Sequence, residues 1–343
     1  MKEVVIYGAG KNGKIAYLSL HHRDDISVVC FVDSNKQKIG STYLGLDVNS
    51  INDIKRDGNT QIIVTPDEGC FDIIQNLKEA GFKDVIPFNR RKHNIRGLAL
   101  SLYEELNQNR CIDLGKLLLD VFGDGDIVLK ELPYIYGGSG VLDYAFLYAL
   151  AIKFNISGYA EIGSYIGTSL NVLSGVCSKL FSITAPVDSK YSMRSFCEEN
   201  NIPDYSERLS ESKSIEHIYC NSQEHTYSDI SPYVDMYFID ADHSYEGVYN
   251  DTLCVFRDRK PDSIVVWHDF QQNGLFDEVI IAVKDALKED FNKVFITDNN
   301  ICAVYLPKGN KEIFPLTHRK YVSQEDRRLL YVYDTTLHIG ERN

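Results

Sequence analysis

Apolar positions in the first ninety residues fall into short runs separated by stretches of helical spacing. Val4-Val5-Ile6-Tyr7, Ser27-Val28-Val29-Cys30-Phe31-Val32, Gln61-Ile62-Ile63-Val64 and Asp84-Val85-Ile86-Pro87 read as strands. A glycine turn and an amphipathic stretch to about Leu20 lie between the first two, and Phe71 to Ala80 repeats the helical spacing before a stop at Gly81. Such alternation predicts right-handed crossovers and a parallel sheet. Residues 90–130 break the rhythm: they are polar with helical spacing, as in Leu98–Leu106, and predict a connector. A second alternation runs from about 140 to 308. It predicts a buried helix at Tyr144–Ile152, a strand at Tyr159–Ile162 and a helix at Ser169–Val176. Strands follow at Leu180–Ile183, Val234–Ile239 and Ser263–Trp267, then a helix at Phe276–Asp290. Val294–Ile296 and Ile301–Tyr305 read as a terminal antiparallel pair. The predicted domains are therefore 1–90, a connector 91–130, a second α/β domain 131–308 and a charged extension 309–343.

Composition narrows the class. Lys+Arg number 36 against 49 Asp+Glu, a net charge of −13, which argues against a chain that coats nucleic acid. The basic tract Asn89-Arg90-Arg91-Lys92-His93 is short and reads as a solvated linker. Tyr144–Ile152 is far below the ~20 apolar residues of a membrane span. The eight cysteines are scattered with no C-x-x-C pair, which fits reduced thiols rather than a disulfide or zinc scaffold. No leader pattern precedes the first strand. The expectation is a cytoplasmic protein with no membrane span; oligomeric state is left open, a homo-oligomer included.

Two motifs carry the candidate chemistry. The first, Gly8-Ala9-Gly10-Lys11-Asn12-Gly13, has G-x-G-x-x-G spacing between a strand and a helix, with Asp33 closing the second strand. Glycines at Gly8, Gly10 and Gly13 let backbone N–H groups approach a pyrophosphate, and Asp33 could hold a ribose hydroxyl. The same glycines also serve close strand–helix packing. With Phe31-Val32-Asp33-Ser34-Asn35 and Gly45-Leu46-Asp47-Val48, residues 3–88 resemble the N-terminal Rossmann-like domain of bacterial sugar acetyltransferases. That resemblance implies a sugar-nucleotide ligand or an accessory module.

The second, Glu161-Ile162-Gly163-Ser164-Tyr165-Ile166-Gly167-Thr168-Ser169-Leu170, is an acid at a strand end followed by two glycines and a helix. Asp240-Ala241-Asp242-His243-Ser244-Tyr245-Glu246 follows a later strand, and Trp267-His268-Asp269 the next. In this order they resemble the class I S-adenosylmethionine-dependent methyltransferases, in particular caffeoyl-CoA, catechol and macrolide-sugar O-methyltransferases. The implied fold class is α/β with two Rossmann-like doubly wound domains, the second a methyltransferase sheet with an antiparallel C-terminal strand.

The resemblance implies that Glu161, Gly163, Ser164, Gly167, Thr168 and Asp240 contact S-adenosylmethionine. Asp188 stands late for the usual ribose acid, near Thr184, and Asn221-Ser222-Gln223 is a candidate adenine contact. Asp240 and Asp269 match two magnesium-ligand positions, with Asp242 or His268 as a substitute for the third, which is Phe270 here. His243 stands where the caffeoyl-CoA enzymes place a catalytic Lys, and His268 adjoins the second acid; an imidazole is a suitable general base. Leu132–Gly140, with Tyr134 and Tyr136, is glycine-rich and could close over the cofactor. The expected function is methylation of a sugar or glycosylated small molecule, with S-adenosylmethionine, possibly magnesium, and a small-molecule or sugar-nucleotide substrate. Two other readings stay open: a sugar-nucleotide binding protein with a relic methyltransferase fold, and an NAD-dependent enzyme using the N-terminal glycines.

Overall fold

The computed structural model describes residues 2–21, 23, 25–56, 59–66, 69–88, 95–123, 127–129, 132, 138–190, 192–199, 215–271, 276–308 and 337–339. The basic tract 89–93, most of the glycine-rich segment at 133–137 and most of the C-terminal extension lie outside these residues. Contacts divide the chain into two units, Met1–Leu100 and Ser101–Asn343.

The first unit contains β1 (Lys2–Tyr7), α1 (Lys11–Leu20), β2 (Ile26–Val32), β3 (Thr42–Tyr43), β4 (Leu46–Asn49), β5 (Gln61–Val64), α2 (Cys70–Glu79) and β6 (Asp84–Pro87). The sheet order is β3-β4-β2-β1-β5-β6, parallel except for the β3–β4 pair. Alternate residues of β1 enter opposite cores, because side chains along a strand point to alternate faces. Val5 packs with Val32, Ile62 and Leu77, whereas Val4 and Ile6 pack with Phe31, Ile63 and Leu20. The two helices therefore cover opposite faces, as the alternation predicts. The β3–β4 hairpin was not predicted: its strands are short, and its turn rests on Leu44 and Gly45, both at positive φ (52° and 76°).

Gly13 is fixed by packing. A Cβ there would lie 1.9 Å from the Gly8 carbonyl oxygen, so α1 can approach β1 closely only without one. Gly13→Ala should destabilise the first unit by roughly 3 kcal/mol, an overpacking against rigid backbone. Thermal unfolding of the full chain checks this, through an early transition absent from the parent.

The second unit begins within α3 (Ile95–Asn109) and continues through β7 (Cys111–Ile112), α4 (Leu114–Phe122), β8 (Ile127–Leu129), α5 (Val141–Lys153), β9 (Gly158–Ile162) and α6 (Thr168–Leu173). There follow β10 (Lys179–Thr184), α7 (Met193–Glu199), β11 (Ile215–Tyr219), β12 (Met236–Ile239), α8 (Tyr245–Asp258), β13 (Ile264–Trp267), α9 (Asp277–Leu287), β14 (Val294–Thr297), β15 (Ala303–Tyr305) and β16 (Leu337–Ile339). The main sheet runs β11-β10-β9-β12-β13-β15-β14-β7. From β11 to β13 it is parallel, and β15 enters antiparallel between β13 and β14, as expected for the terminal pair. β9, β12 and β13 are buried along their whole length, the signature of parallel strands covered on both faces.

One expectation changes. The stretch 91–130 is more than a connector, since β7 extends the main sheet beside β14, α4 packs on α5, and β8 pairs with β16. The sequence hid this because β7 is two residues long and its partners lie far along the chain.

The chain leaves β9 toward β10 and β11, then returns to the other side of β9 as β12 and β13. Strand order reverses there, and the carboxyl ends of β9 and β12 open a crevice of the kind in which α/β sheets bind ligands.

Candidate active site

Three loops meet at the crevice. The first follows β9. Gly163 has φ +94°, and a Cβ on it would stand 2.2 Å from the Asp240 carbonyl oxygen. The Asp240 N–H donates to Ile162 O at 2.8 Å, so the ends of β9 and β12 are pinned edge to edge. Gly167, at φ +72°, turns the chain into α6. Gly163→Ala combines a forbidden φ with a backbone clash. It should abolish ligand binding at the crevice and lower the unfolding midpoint, read by thermal shift with and without ligand.

Glu161, next to last in β9, is almost fully buried. Its Oε2, together with Ser164 Oγ and Ser169 Oγ, has no hydrogen-bond partner among the described residues. Burial pushes the Glu161 carboxyl up to about 8, and the charge of Asp240 adds to the rise. Three buried polar atoms without partners are costly unless a ligand completes them. A buried carboxylate at a glycine-lined crevice calls for a cation carrying N–H donors.

The second and third loops bring the acids and histidines together. Asp240 follows β12, and His268 and Asp269 follow β13, where the His268 N–H donates to Ile239 O at 3.1 Å. His243 Nε2 lies 2.9 Å from Asp269 Oδ2 and 3.4 Å from Asp240 Oδ1. His268 Nδ1 faces the same two oxygens at 3.2 Å and 3.3 Å. Asp269 holds φ +54°, a left-handed conformation that places its carboxylate in this cluster. Burial works to raise Asp269, but His243 and His268 outweigh it and hold the carboxyl far below the usual range. Burial likewise works to lower His243, yet Asp240 and Asp269 carry it up to about 10.

These contacts revise both histidine assignments. The His243 side chain is 41% exposed, and the two acids beside it favour its protonated form. His268 is buried with both nitrogens facing carboxylates, because its Nε2 stands 3.4 Å from Asp143 Oδ2. Neither is a free general base in this arrangement.

Asp143 is the residue that sequence reasoning missed. It lies in the first turn of α5, buried, where it accepts from Gly140 N–H at 2.7 Å and Ile301 N–H at 3.3 Å. A capping acid three residues after Gly140 was legible; its partner His268, 125 residues away, was not. The next residue, Tyr144, is buried beside Glu161, Thr168 and Ser139, and burial raises its hydroxyl to about 12.

Asp242 does not join the cluster. Its Oδ1 accepts from Ser244 N–H at 2.9 Å, and its Oδ2 accepts from Ser244 Oγ at 2.9 Å and Gln223 Nε2 at 3.4 Å. It organises the start of α8, whose Gly247 leaves room for it. Phe270 is buried in the core, so no third oxygen ligand comes from that position either. Magnesium requires oxygen donors in near-octahedral array. Around Asp240 and Asp269 the described side chains add the imidazole nitrogens of His243 and His268 rather than a third oxygen, which leaves waters and acceptor oxygens to complete such a shell. Asp188 is exposed in the turn after β10. The Asn221–Gln223 turn is tied to α8 through Gln223, whose carbonyl accepts from Cys254 Sγ at 3.3 Å.

In the first unit the glycine loop has a different finish from the one expected. Asp33 Oδ2 accepts from the Ala9 N–H at 2.9 Å and from Lys38 Nζ at 3.2 Å, and Oδ1 accepts from the Asn35 N–H at 2.8 Å. The acid is engaged in closing the loop rather than turned out toward a ribose. Gly8 and Gly13 are required by packing, but Gly10 has an ordinary extended φ of −149°, and a Cβ there would meet nothing within 4 Å. Neither conformation nor internal packing demands a glycine at that position.

Comparison with known proteins decides the class of the second unit. Residues 160–270 match the family model described as a methyltransferase domain. The second unit carries a methyltransferase domain. The match spans the β9 glycine loop, the β12 acids and the β13 His-Asp pair, the same three loops that form the crevice. Residues 1–85 match a family model described as C2185-like, N-terminal. Among solved structures, the chain is similar to a TDP-rhamnose 3'-O-methyltransferase of calicheamicin biosynthesis at 13% identity, over 48% of this chain and 77% of that one, with a TM-score of 0.35. It is similar to an S-adenosylhomocysteine-bound methyltransferase from Podospora anserina at 13% identity, over 65% and 97%, with a TM-score of 0.36. It is also similar to a putative caffeoyl-CoA O-methyltransferase from Staphylococcus aureus at 15% identity, over 61% and 96%, with a TM-score of 0.35. Likeness at that level does not assign a substrate. No curated protein matches the chain. Among the described residues of the methyltransferase domain and the first unit, no helix is long and apolar enough to cross a membrane.

Proposed function

We propose that the protein transfers a methyl group from S-adenosylmethionine to a hydroxyl of a sugar or glycosylated small molecule. The observation that carries this reading is the buried carboxyl of Glu161, whose Oε2 has no hydrogen-bond partner among the described residues, beside Gly163 at the reversal of strand order. The ammonium of the cofactor's methionine part supplies the cation and N–H donors that Glu161 lacks. Ser164 and Ser169 complete the polar wall. Beyond it stand Asp240 and Asp269, and the acceptor hydroxyl is assigned to their side of the crevice.

Methyl transfer is an in-line displacement at a sulfonium, and the main task is alignment. An attacking hydroxyl becomes strongly acidic as the new bond forms, so a weakly basic carboxylate suffices to take its proton. Asp269 and Asp240 serve that purpose better than His243, which is already protonated between them. The sugar assignment is supported by the Ile239-Asp240-Ala241-Asp242-His243-Ser244-Tyr245 sequence and by the first unit, where the space above Gly10 suits the close approach of a nucleotide-sugar phosphate.

The experiment is incubation of the full chain with methyl-labelled S-adenosylmethionine and a panel of nucleotide sugars, with the product read by mass spectrometry. A mass gain of one methyl group on a nucleotide sugar supports the assignment. Binding of the cofactor with transfer only to acceptors free of sugar would overturn it.

A further inference from the structure

Along one stripe of α8, side chains at helical spacing reach the loop Cys220–Tyr227 that follows β11. Cys254 Sγ donates to Gln223 O at 3.3 Å. Asp258 Oδ2 accepts from the Tyr227 N–H at 2.7 Å and from Thr226 Oγ1 at 3.1 Å. Just before the helix, Asp242 Oδ2 accepts from Gln223 Nε2 at 3.4 Å. Asp251 stands in the middle of this stripe and is 0% exposed. Both of its carboxyl oxygens lack a hydrogen-bond partner among the described residues. Ser222 faces it from the turn without closing a bond to it. A carboxyl left open in a dry contact costs stability that an apolar side chain would not. The acid therefore points to a role in setting the turn.

The turn has a place in the crevice. On the methyl-transfer reading the cofactor's ammonium lies against Glu161 on β9, and the acceptor is assigned to the β12–β13 side. The rest of the cofactor then extends over β10 toward β11. Neighbouring strands lie about 4.8 Å apart, so the end of β11 stands about 10 Å from β9, within reach of the adenine of an extended cofactor. We propose, resting on the methyl-transfer reading, that Asp251 is a positioning residue for the adenosine end of S-adenosylmethionine: through Ser222 it sets how closely the turn after β11 lies on α8. With its proton in place, Asp251 offers both a donor and an acceptor to the Ser222 hydroxyl, which can serve as either. Burial raises the carboxyl to about 7, and the charge of Asp242 adds to the rise. Cys220 and Tyr227 face it from the loop and Cys254 from its own helix; neither these nor Asp242 brings a positive charge. Loss of the proton leaves a buried charge without a cation, which favours a turn lifted off the helix.

The probe is 5'-methylthioadenosine, which carries the adenosine without the ammonium and so bypasses Glu161. Its affinity for the full chain is measured by calorimetry near pH 6 and near pH 8.5. In the parent it should fall about tenfold over that interval, because binding must restore the proton that Asp251 has lost. Asp251→Asn, neutral and of the same shape, should hold the pH 6 affinity within about threefold at both. Asp251→Ala and Ser222→Ala should each lose about tenfold at pH 6, with no further loss in the double variant, as expected for two groups acting as a pair. Asp251→Ala with parental affinity, Asp251→Asn as weak as Asp251→Ala, or losses that add in the double variant would each overturn the role of Asp251. A parent that binds neither 5'-methylthioadenosine nor S-adenosylhomocysteine would sink the methyl-transfer reading, and the adenosine assignment with it. If S-adenosylhomocysteine alone binds, the same variants compared with it at pH 6 decide in the same way.

Discussion

Asp269→Asn should lower methyl transfer by a factor of at least a hundred, about 3 kcal/mol of lost transition-state stabilisation, while the chain remains folded. Asp269 is one of the few non-glycine residues at positive φ, and Asn tolerates that conformation as well as Asp does. The backbone and side-chain shape are kept and only the charge is lost. What remains is two imidazoles, the half-exposed His243 and the buried His268, facing the single carboxylate of Asp240. Cofactor affinity should change little, because Glu161 and the glycine loop stand on β9, separated from β13 by β12. Asp269→Ala adds backbone strain of roughly 1–2 kcal/mol and should unfold at lower temperature than the Asn variant. Side-by-side kcat, KM and thermal midpoints separate the two effects. Near-parental kcat in Asp269→Asn would remove the acid from the reaction.

Glu161→Gln should show the opposite signs for stability and binding. In the bare protein burial raises this carboxyl from near 4.5 to about 8. The folded state therefore keeps a proton that the unfolded chain has already lost between those values. Stability falls as pH rises from about 4.5 to about 8 and is level above that, with a penalty on the order of 5 kcal/mol at the upper end. Gln removes this pH-dependent penalty, so the variant should melt higher than the parent at pH 8.5, with the advantage gone near pH 4.5. It should also bind S-adenosylmethionine at least a hundredfold more weakly, since a neutral amide cannot pair with the ammonium. The parent should release close to one proton on binding at pH 7, seen as a dependence of the binding enthalpy on buffer. Higher stability at pH 8.5 without loss of affinity would place the ammonium elsewhere.

Much of the fold was legible because parallel strands buried on both faces read as apolar runs. Gln61–Val64 and Asp84–Pro87 coincide with β5 and β6, and Tyr159–Ile162 falls within β9. The elements that escaped are short or paired at long range: the β3–β4 hairpin, β7, and β8 with its partner β16. At the crevice, the residues on strand ends and turns were visible through their spacing, and the structure brings Glu161, Gly163, Asp240, His243, His268 and Asp269 to one edge of the sheet. Their roles were less legible. Spacing could not show that Asp242 turns back onto Ser244 and Gln223, that Asp33 closes its own loop, or that Asp143 crosses from α5 to His268. Each depends on a side-chain direction set by tertiary packing.

Calorimetric titration of S-adenosylmethionine into the full chain, at pH 8 with EDTA present, tests the central claim most directly. Burial of the ammonium against Glu161 predicts one site per chain with micromolar affinity, about −8 kcal/mol, persisting in the chelator. No heat and no thermal shift at about 1 mM cofactor, a ceiling near −4 kcal/mol, would contradict it.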